Sequence, residues 1–388
     1  MNSSRFFAGA AGLAIVIAAC GQDSRTETTE TSVAQRDVTP GGAPATPLVN
    51  IYVATGIGAL SPVAARAKPL VYVPNSRSNS VTVIDPATHT VLRTFATDKL
   101  PQHVVPSYDM SRLWVTNNEG NSLTMIDPVT GAEGEKVPVD DPYNMYFSPD
   151  GKLAIVIAEA LHRFDLRDPV TMKLVQSISV DCPGLDHADF TPDDRYVIAT
   201  CEFSGQLVKL DLEARKPVGY LRLTAPAMPQ DIRSSPDGRV FYVADMAADG
   251  LHVIDPVAFK EVDFIKTGKG THGIVVGRSG QPFYITNRGW NTVLGGRRGP
   301  GSITVLDPTT RKILATWPIP GGGSPDMGGL SADGKELWVS GRYDDEVYVF
   351  DTEHGVLAAR IKVGIEPHGL CVWPQPGRIS LGHTGNMR

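Results

Sequence analysis

Residues 71–86 read VYVPNSRSNSVTVIDP, and this two-part phrase returns along the chain. The first part recurs as LWVTN (113–117), FYVAD (241–245), FYITN (283–287) and LWVSG (337–341). The second, SVTVIDP (80–86), recurs as SLTMIDP (122–128), GLHVIDP (250–256), SITVLDP (302–308) and EVYVFDT (346–352). Its aspartate falls at Asp85, Asp127, Asp168, Asp211, Asp255, Asp307 and Asp351, so the spacing is 41–44 residues with one interval of 52. Within a repeat, apolar residues alternate in twos and Val, Ile, Tyr and Phe dominate, which is the pattern of strands. SPDG (148–151 and 235–238) and SADG (331–334) supply tight turns, and each Asp-Pro opens another.

A period near forty with four short strands predicts blades stacked radially, an all-β propeller rather than a sandwich or barrel. Seven repeats are complete. Beyond the seventh, HGLCVW (368–373) reads as a further first strand and RISLGH (378–383) as a further second strand. VNIYVA (49–54) is an orphan strand upstream. An eighth blade closed by both chain ends is favoured, because it would remove two exposed edges. The alternative is seven blades, with a strand at 368–374 completing the first.

VYVPN, LWVTN and FYVAD followed by VIDP resemble the YVTN-repeat β-propellers, and more loosely the haem d1 propeller of cytochrome cd1 nitrite reductases. The resemblance spans residues 70–388. It implies the fold and no single activity, since such propellers host unrelated functions.

The N-terminus bears on location. MNSSRFFAGAAGLAIVIAAC (1–20) has one cation, Arg5, before an apolar run too short to span a bilayer comfortably, the layout of a signal peptide. Ile17-Ala18-Ala19-Cys20 resembles the lipobox of bacterial lipoproteins, which implies lipidation at Cys20 and anchoring to the cell envelope, on the periplasmic face of a membrane. Residues 21–47 are rich in Thr, Ser, Pro, Gly and charge and predict a disordered tether. Residues 48–388 then form one propeller domain. The net charge of −6 with no basic block argues against nucleic acid as a partner. No CxxCH is present, so c-type haem is not expected.

Aligning the entries to the first strands places His103, Asn144, His187, Gln230, His272, Asp326 and His368 at one equivalent position around the channel mouth. Four of the chain's nine histidines fall there. Converging imidazoles bind copper, zinc or iron; the other reading is polar side chains capping neighbouring loops. The ends of the second strands give a second ring: Asn75, Asn117, Glu159, Glu202, Asp245, Asn287-Arg288 and Arg342, with His383 at the matching place in the terminal strand. Its acidic and arginine sectors suit a small anionic or zwitterionic ligand, or else pair with one another across blades. The insertion Gly289–Gly301 reads as a lid or as a variable surface loop. Cys182 and Cys201 predict a disulfide in an oxidising compartment, with Cys201 and His187 as a metal pair the alternative. The leading functional expectation is a membrane-anchored binding or scaffold protein with a protein partner or a small ligand. The second is a periplasmic metal-dependent oxidoreductase using the histidine ring.

Overall fold

The computed structural model describes residues 50–290, 293 and 296–388. The signal segment, Cys20, the tether and part of the 289–301 insertion lie outside them. Residues 70–373 form seven antiparallel sheets of four strands each. In blade 4 the strands are Leu185–Phe190, Tyr196–Cys201, Gln206–Asp211 and Lys216–Arg222. The β-branched and aromatic content makes the first three strands of a blade almost wholly buried, as in Phe241–Asp245. The fourth strand alternates exposed and half-buried, as in Lys216–Arg222, and puts charges on the outer edge, where they oppose edge-to-edge pairing.

The ring closes with seven blades, and the expected eighth is not formed. Cys371–Trp373 pairs with Leu70–Asn75, Leu70 opposite Trp373 and Tyr72 opposite Cys371, and so completes blade 1. Pro374 and Pro376 follow at once and cannot donate to a ladder, so no second strand grows from this one. Residues 50–54, the described part of the expected upstream strand, do not form a strand either. Val53–Thr55 is a 3-10 turn, and the buried Tyr52 beside it donates its hydroxyl to Ser234 O at 2.9 Å.

Apolar side chains pack between neighbouring blades rather than into one central core. At the closing seam, Trp338, Val347 and Val349 of blade 7 meet Val71, Val73 and Val372 of blade 1. The seam is therefore filled like those between consecutive repeats. No helix among the described residues is long and apolar enough to cross a membrane.

Candidate functional site

Every blade carries a bulge where the chain enters its first strand and the register jumps: between Pro101 and Val104, Pro142 and Asn144, Leu185 and Ala188, Pro229 and Ile232, Thr271 and Ile274, Pro325 and Gly328, and, in blade 1, Pro367 and Cys371. A bulge re-aims side chains, here into the channel. In blades 2, 4, 6 and 7 a hydroxyl of the second strand holds it. Thr116 Oγ1 accepts from His103 N, Thr200 Oγ1 from His187 N, Thr286 Oγ1 from Gly273 N and Ser340 Oγ from Met327 N, at 2.7–3.2 Å.

The bulge splits the single ring expected from sequence into two sets. Gln102, Tyr143, Asp186, Gln230, His272, Asp326 and His368 occupy its first position. His103, Asn144, His187, Asp231, Gly273, Met327 and Gly369 occupy the second. His103 and His187 are thus offset by one residue from His272 and His368, and the four do not form one four-fold set.

The second-position histidines meet at the channel centre, joined by His383 from the segment after blade 1. His103, His187 and His383 each offer a ligand atom, all within 4.8 Å of one another and all buried. Ring centroids lie 5.2 Å apart for His103–His187, 5.1 Å for His103–His383 and 5.0 Å for His187–His383. Neither ring nitrogen of His103 has a hydrogen-bond partner, nor does His187 Nε2. His187 Nδ1 lies 2.9 Å from Asp186 Oδ1. His383 Nδ1 faces Asn144 Nδ2 at 2.8 Å. Burial, with His368 and His187 nearby, holds His103 well below the usual imidazole range. Burial beside Arg233 does the same to His383. Burial also opposes a charge on His187, but the Asp186 carboxylate raises it above its ordinary value. Gly369 makes room: a Cβ there would sit 2.0 Å from His103 Nδ1.

His272 and His368 serve a different centre. Asp326, fully buried, accepts from His368 Nδ1 at 2.5 Å, and His272 Nδ1 lies 2.9 Å from its other oxygen. It also pairs closely with Arg288, and Arg342 Nη1 stands 3.7 Å away. Burial alone would push the carboxyl up, yet Arg288, His272 and His368 hold it well below the carboxylate range. Burial and Arg288 lower His272 to about 4, and burial lowers His368 to about 3. His368 still borders the triad, 4.7 Å from His103 between centroids. Its Nε2 lies 3.2 Å from the hydroxyl of Tyr143, a half-buried phenol edge-on to His103 at 5.5 Å.

The outer ring also shifts by one residue. Asn75, Asn117 and Asn287 turn away from the mouth, each donating Nδ2 to the Ser and Thr of its own third strand at 2.9–3.1 Å. Asp245 accepts from the 228 and 248 backbone amides. The residues one place on rim the mouth and reach towards the next blade. Ser76 Oγ contacts Gln102 at 3.3 Å, Glu202 accepts from Gln230 at 3.0 Å, and Arg288 pairs with Asp326. Burial and the Asp186 and Glu202 carboxylates push Glu159 up to about 8. Burial beside Asp186 pushes Glu202 up to about 7. Arg288 is committed inside the protein, which leaves Arg342, 3.7 Å from Glu366, as the more accessible cation.

Cys182 and Cys201 form a disulfide with a Cα–Cα distance of 5.0 Å, so Cys201 does not pair with His187 around a metal. Of the insertion, Trp290 packs on Tyr343 of the next blade at 4.7 Å, and Arg297 lies over Trp290. The sequence does not single out Tyr143 or Asp186, which neighbour residues that it does; it sets His383 on the outer rim, whereas the structure brings it to the centre beside His103 and His187.

A family model described as YNCE-like beta-propeller matches residues 43–376. No curated protein matches the chain in sequence. Among solved structures, hydrazine synthase of Kuenenia stuttgartiensis is similar at 19% identity and TM-score 0.59, covering 69% of this chain and 88% of that one. Dihydro-heme d1 dehydrogenase NirN, in complex with DHE, is similar at 17% identity and TM-score 0.59, with coverages of 82% and 77%. A putative 6-phosphogluconolactonase from Bacteroides uniformis gives 16% and 0.62, with coverages of 78% and 98%. At such identities the likeness is one of fold.

Proposed function

The chain belongs to the YNCE-like β-propeller family, and from that premise we propose that it is an exported, lipid-anchored propeller that holds a transition-metal ion at the centre of its channel. One observation carries the reading: three buried histidines offer ligand atoms within 4.8 Å of one another. Capping histidines would spend their ring nitrogens on loop backbone, yet both nitrogens of His103 are unpaired and buried. Imidazole donors suit zinc, copper, iron or nickel. A tetrahedral ion at about 2.1 Å from each nitrogen sets nitrogen separations near 3.4 Å, a contraction within reach of small side-chain rotations. Asp186 on His187 Nδ1 orients that ring and leaves Nε2 for the ion.

The lipobox-like Ile17–Cys20 and the polar 21–47 segment support anchoring to the envelope, outside the reducing cytoplasm, in keeping with the Cys182–Cys201 disulfide. The rim of Glu159, Glu202, Gln230 and Arg342 suits a small charged ligand approaching the centre. A metal-dependent oxidoreductase is the second reading, favoured by the Tyr143 hydroxyl beside the histidines.

Titration of metal-stripped protein with Zn²⁺ or Cu²⁺ tests the proposal. One ion should bind per chain, adding about 2.7 kcal/mol to the unfolding free energy when free metal is roughly 100 times Kd. His103→Ala should weaken binding by at least about 100-fold. Stabilisation of wild type and variant by the same amount would refute a channel site.

A further inference from the structure

Residues 378–388 make a compact hairpin set into the channel. Arg388 N donates to Ile379 O, Leu381 N to Asn386 O and Asn386 N to Gly382 O, at 2.8–3.0 Å. Its tip is the turn at Gly382, His383 and Gly385, with φ of +94°, +52° and +121°. Gly382 passes so close to blade 3 that a Cβ would lie 2.4 Å from Met145 O. Hence only glycine lets the tip reach the centre.

Backbone and side chains both tie it to the blades: Ser380 Oγ donates to Pro106 O at 3.2 Å, Asn144 Nδ2 meets His383 Nδ1 at 2.8 Å, and Leu381 packs into the apolar seam of blades 3 and 4. His383 N donates to Met145 O, Phe147 N to Leu381 O and Ser380 N to Tyr108 O, at 2.9–3.1 Å. The far end rests on one buried carboxylate: Asp189 accepts from Asn386 Nδ2 at 2.8 Å and from Arg388 Nη2 at 3.0 Å. Arg388 also covers the Tyr52 ring, 4.4 Å from its centroid. Blades supply His103 and His187 whatever this hairpin does, whereas His383 is present only when it is seated.

We infer that the 378–388 hairpin is a ligand-bearing plug, so that seating it completes the metal site and metal binding in turn holds it seated. This rests on the metal reading above and adds the regulation of that site. The coupling must be reciprocal: an ion that gains a third imidazole from the plug stabilises the plug by the same free energy. A loosened plug lowers the apparent metal affinity by the fraction of molecules in which it is seated.

Amide hydrogen exchange on the full chain, with and without saturating Zn²⁺, reads the coupling directly. Exchange at residues 380–388 should slow at least about tenfold with metal, while fourth-strand amides such as 216–222 stay unchanged. In His383→Ala the ion should no longer protect 380–388, although His103 and His187 remain. Arg388→Ala removes the charged half of the Asp189 tie, leaving that of Asn386, without touching a histidine, and should weaken Zn²⁺ binding while speeding exchange at 380–388. Zn²⁺ bound at wild-type stoichiometry with exchange at 380–388 unaltered would overturn the coupling and leave the metal site standing. Failure of wild type to bind any ion would overturn both.

Discussion

Asp326→Ala lowers the unfolding free energy by about 3–5 kcal/mol, a large part of the stability of an ordinary domain. Asp326 is fully buried and answers four cationic or hydrogen-donating groups from three blades: Arg288 and His272 of blade 6, His368 of blade 1 and Arg342 of its own blade 7. Arg288 is itself only 1% exposed. Removing the carboxylate strands that guanidinium without a counter-ion, and such losses exceed the net worth of the pair because desolvation is no longer offset. Replacing both charges, as in Asp326→Leu with Arg288→Met, should recover most of the loss. Denaturant midpoints of the two variants check it. A single variant within about 0.5 kcal/mol of wild type would mean that the network is solvated rather than buried.

The network shows how much the sequence reveals. The repeated phrase and its turns are enough for strands, blades and radial stacking, because alternation and period survive without any knowledge of register. The site is harder, because it depends on a bulge. From Pro101 or Leu185 the histidine is two residues on, whereas from Thr271 or Pro367 it is one. A two-residue bulge lets both positions face the channel, so an alignment by eye merges two sets into one ring. The hydroxyls of Thr116, Thr200, Thr286 and Ser340 were the available signal, since each sits where a bulged amide needs an acceptor. Blade number hinged on Pro374 and Pro376, which stop the final strand. Periodicity sets His383 at the end of a further second strand on the rim, but that strand does not form, and the side chain reaches the centre instead.

Metal-free protein should also lose about 2–3 kcal/mol per pH unit as pH falls from 6 to 4.5. His103, His272, His368 and His383 all have folded pKa values below the unfolded value near 6.5. Below pH 6.5 the unfolded chain therefore binds four protons that the folded chain refuses, and stability falls with acid. Glu159 and Glu202 act oppositely, because their folded values of about 8 and 7 lie above the unfolded value. They are already protonated in the folded state throughout this window, which cancels two of the four. The net difference of two protons gives the slope, with maximal stability near pH 6.5. Above that, Glu159 and Glu202 make stability fall as pH rises. Chemical denaturation in chelator at half-unit steps measures the curve, and stability that instead rises as pH falls from 6 to 4.5 would show that the four histidines titrate as if exposed. Bound metal should steepen the acid limb, since only neutral imidazoles ligate.

The central claim is that three histidines, two from blades and one from the plug, hold an ion. Elemental analysis of the protein, purified without a histidine tag, tests it most directly. Wild type should carry about one zinc, copper, iron or nickel per chain, and His103→Ala/His187→Ala should carry less than about a tenth of that. Equal metal in both proteins, or wild type that is empty and stays empty after reconstitution, would contradict the account.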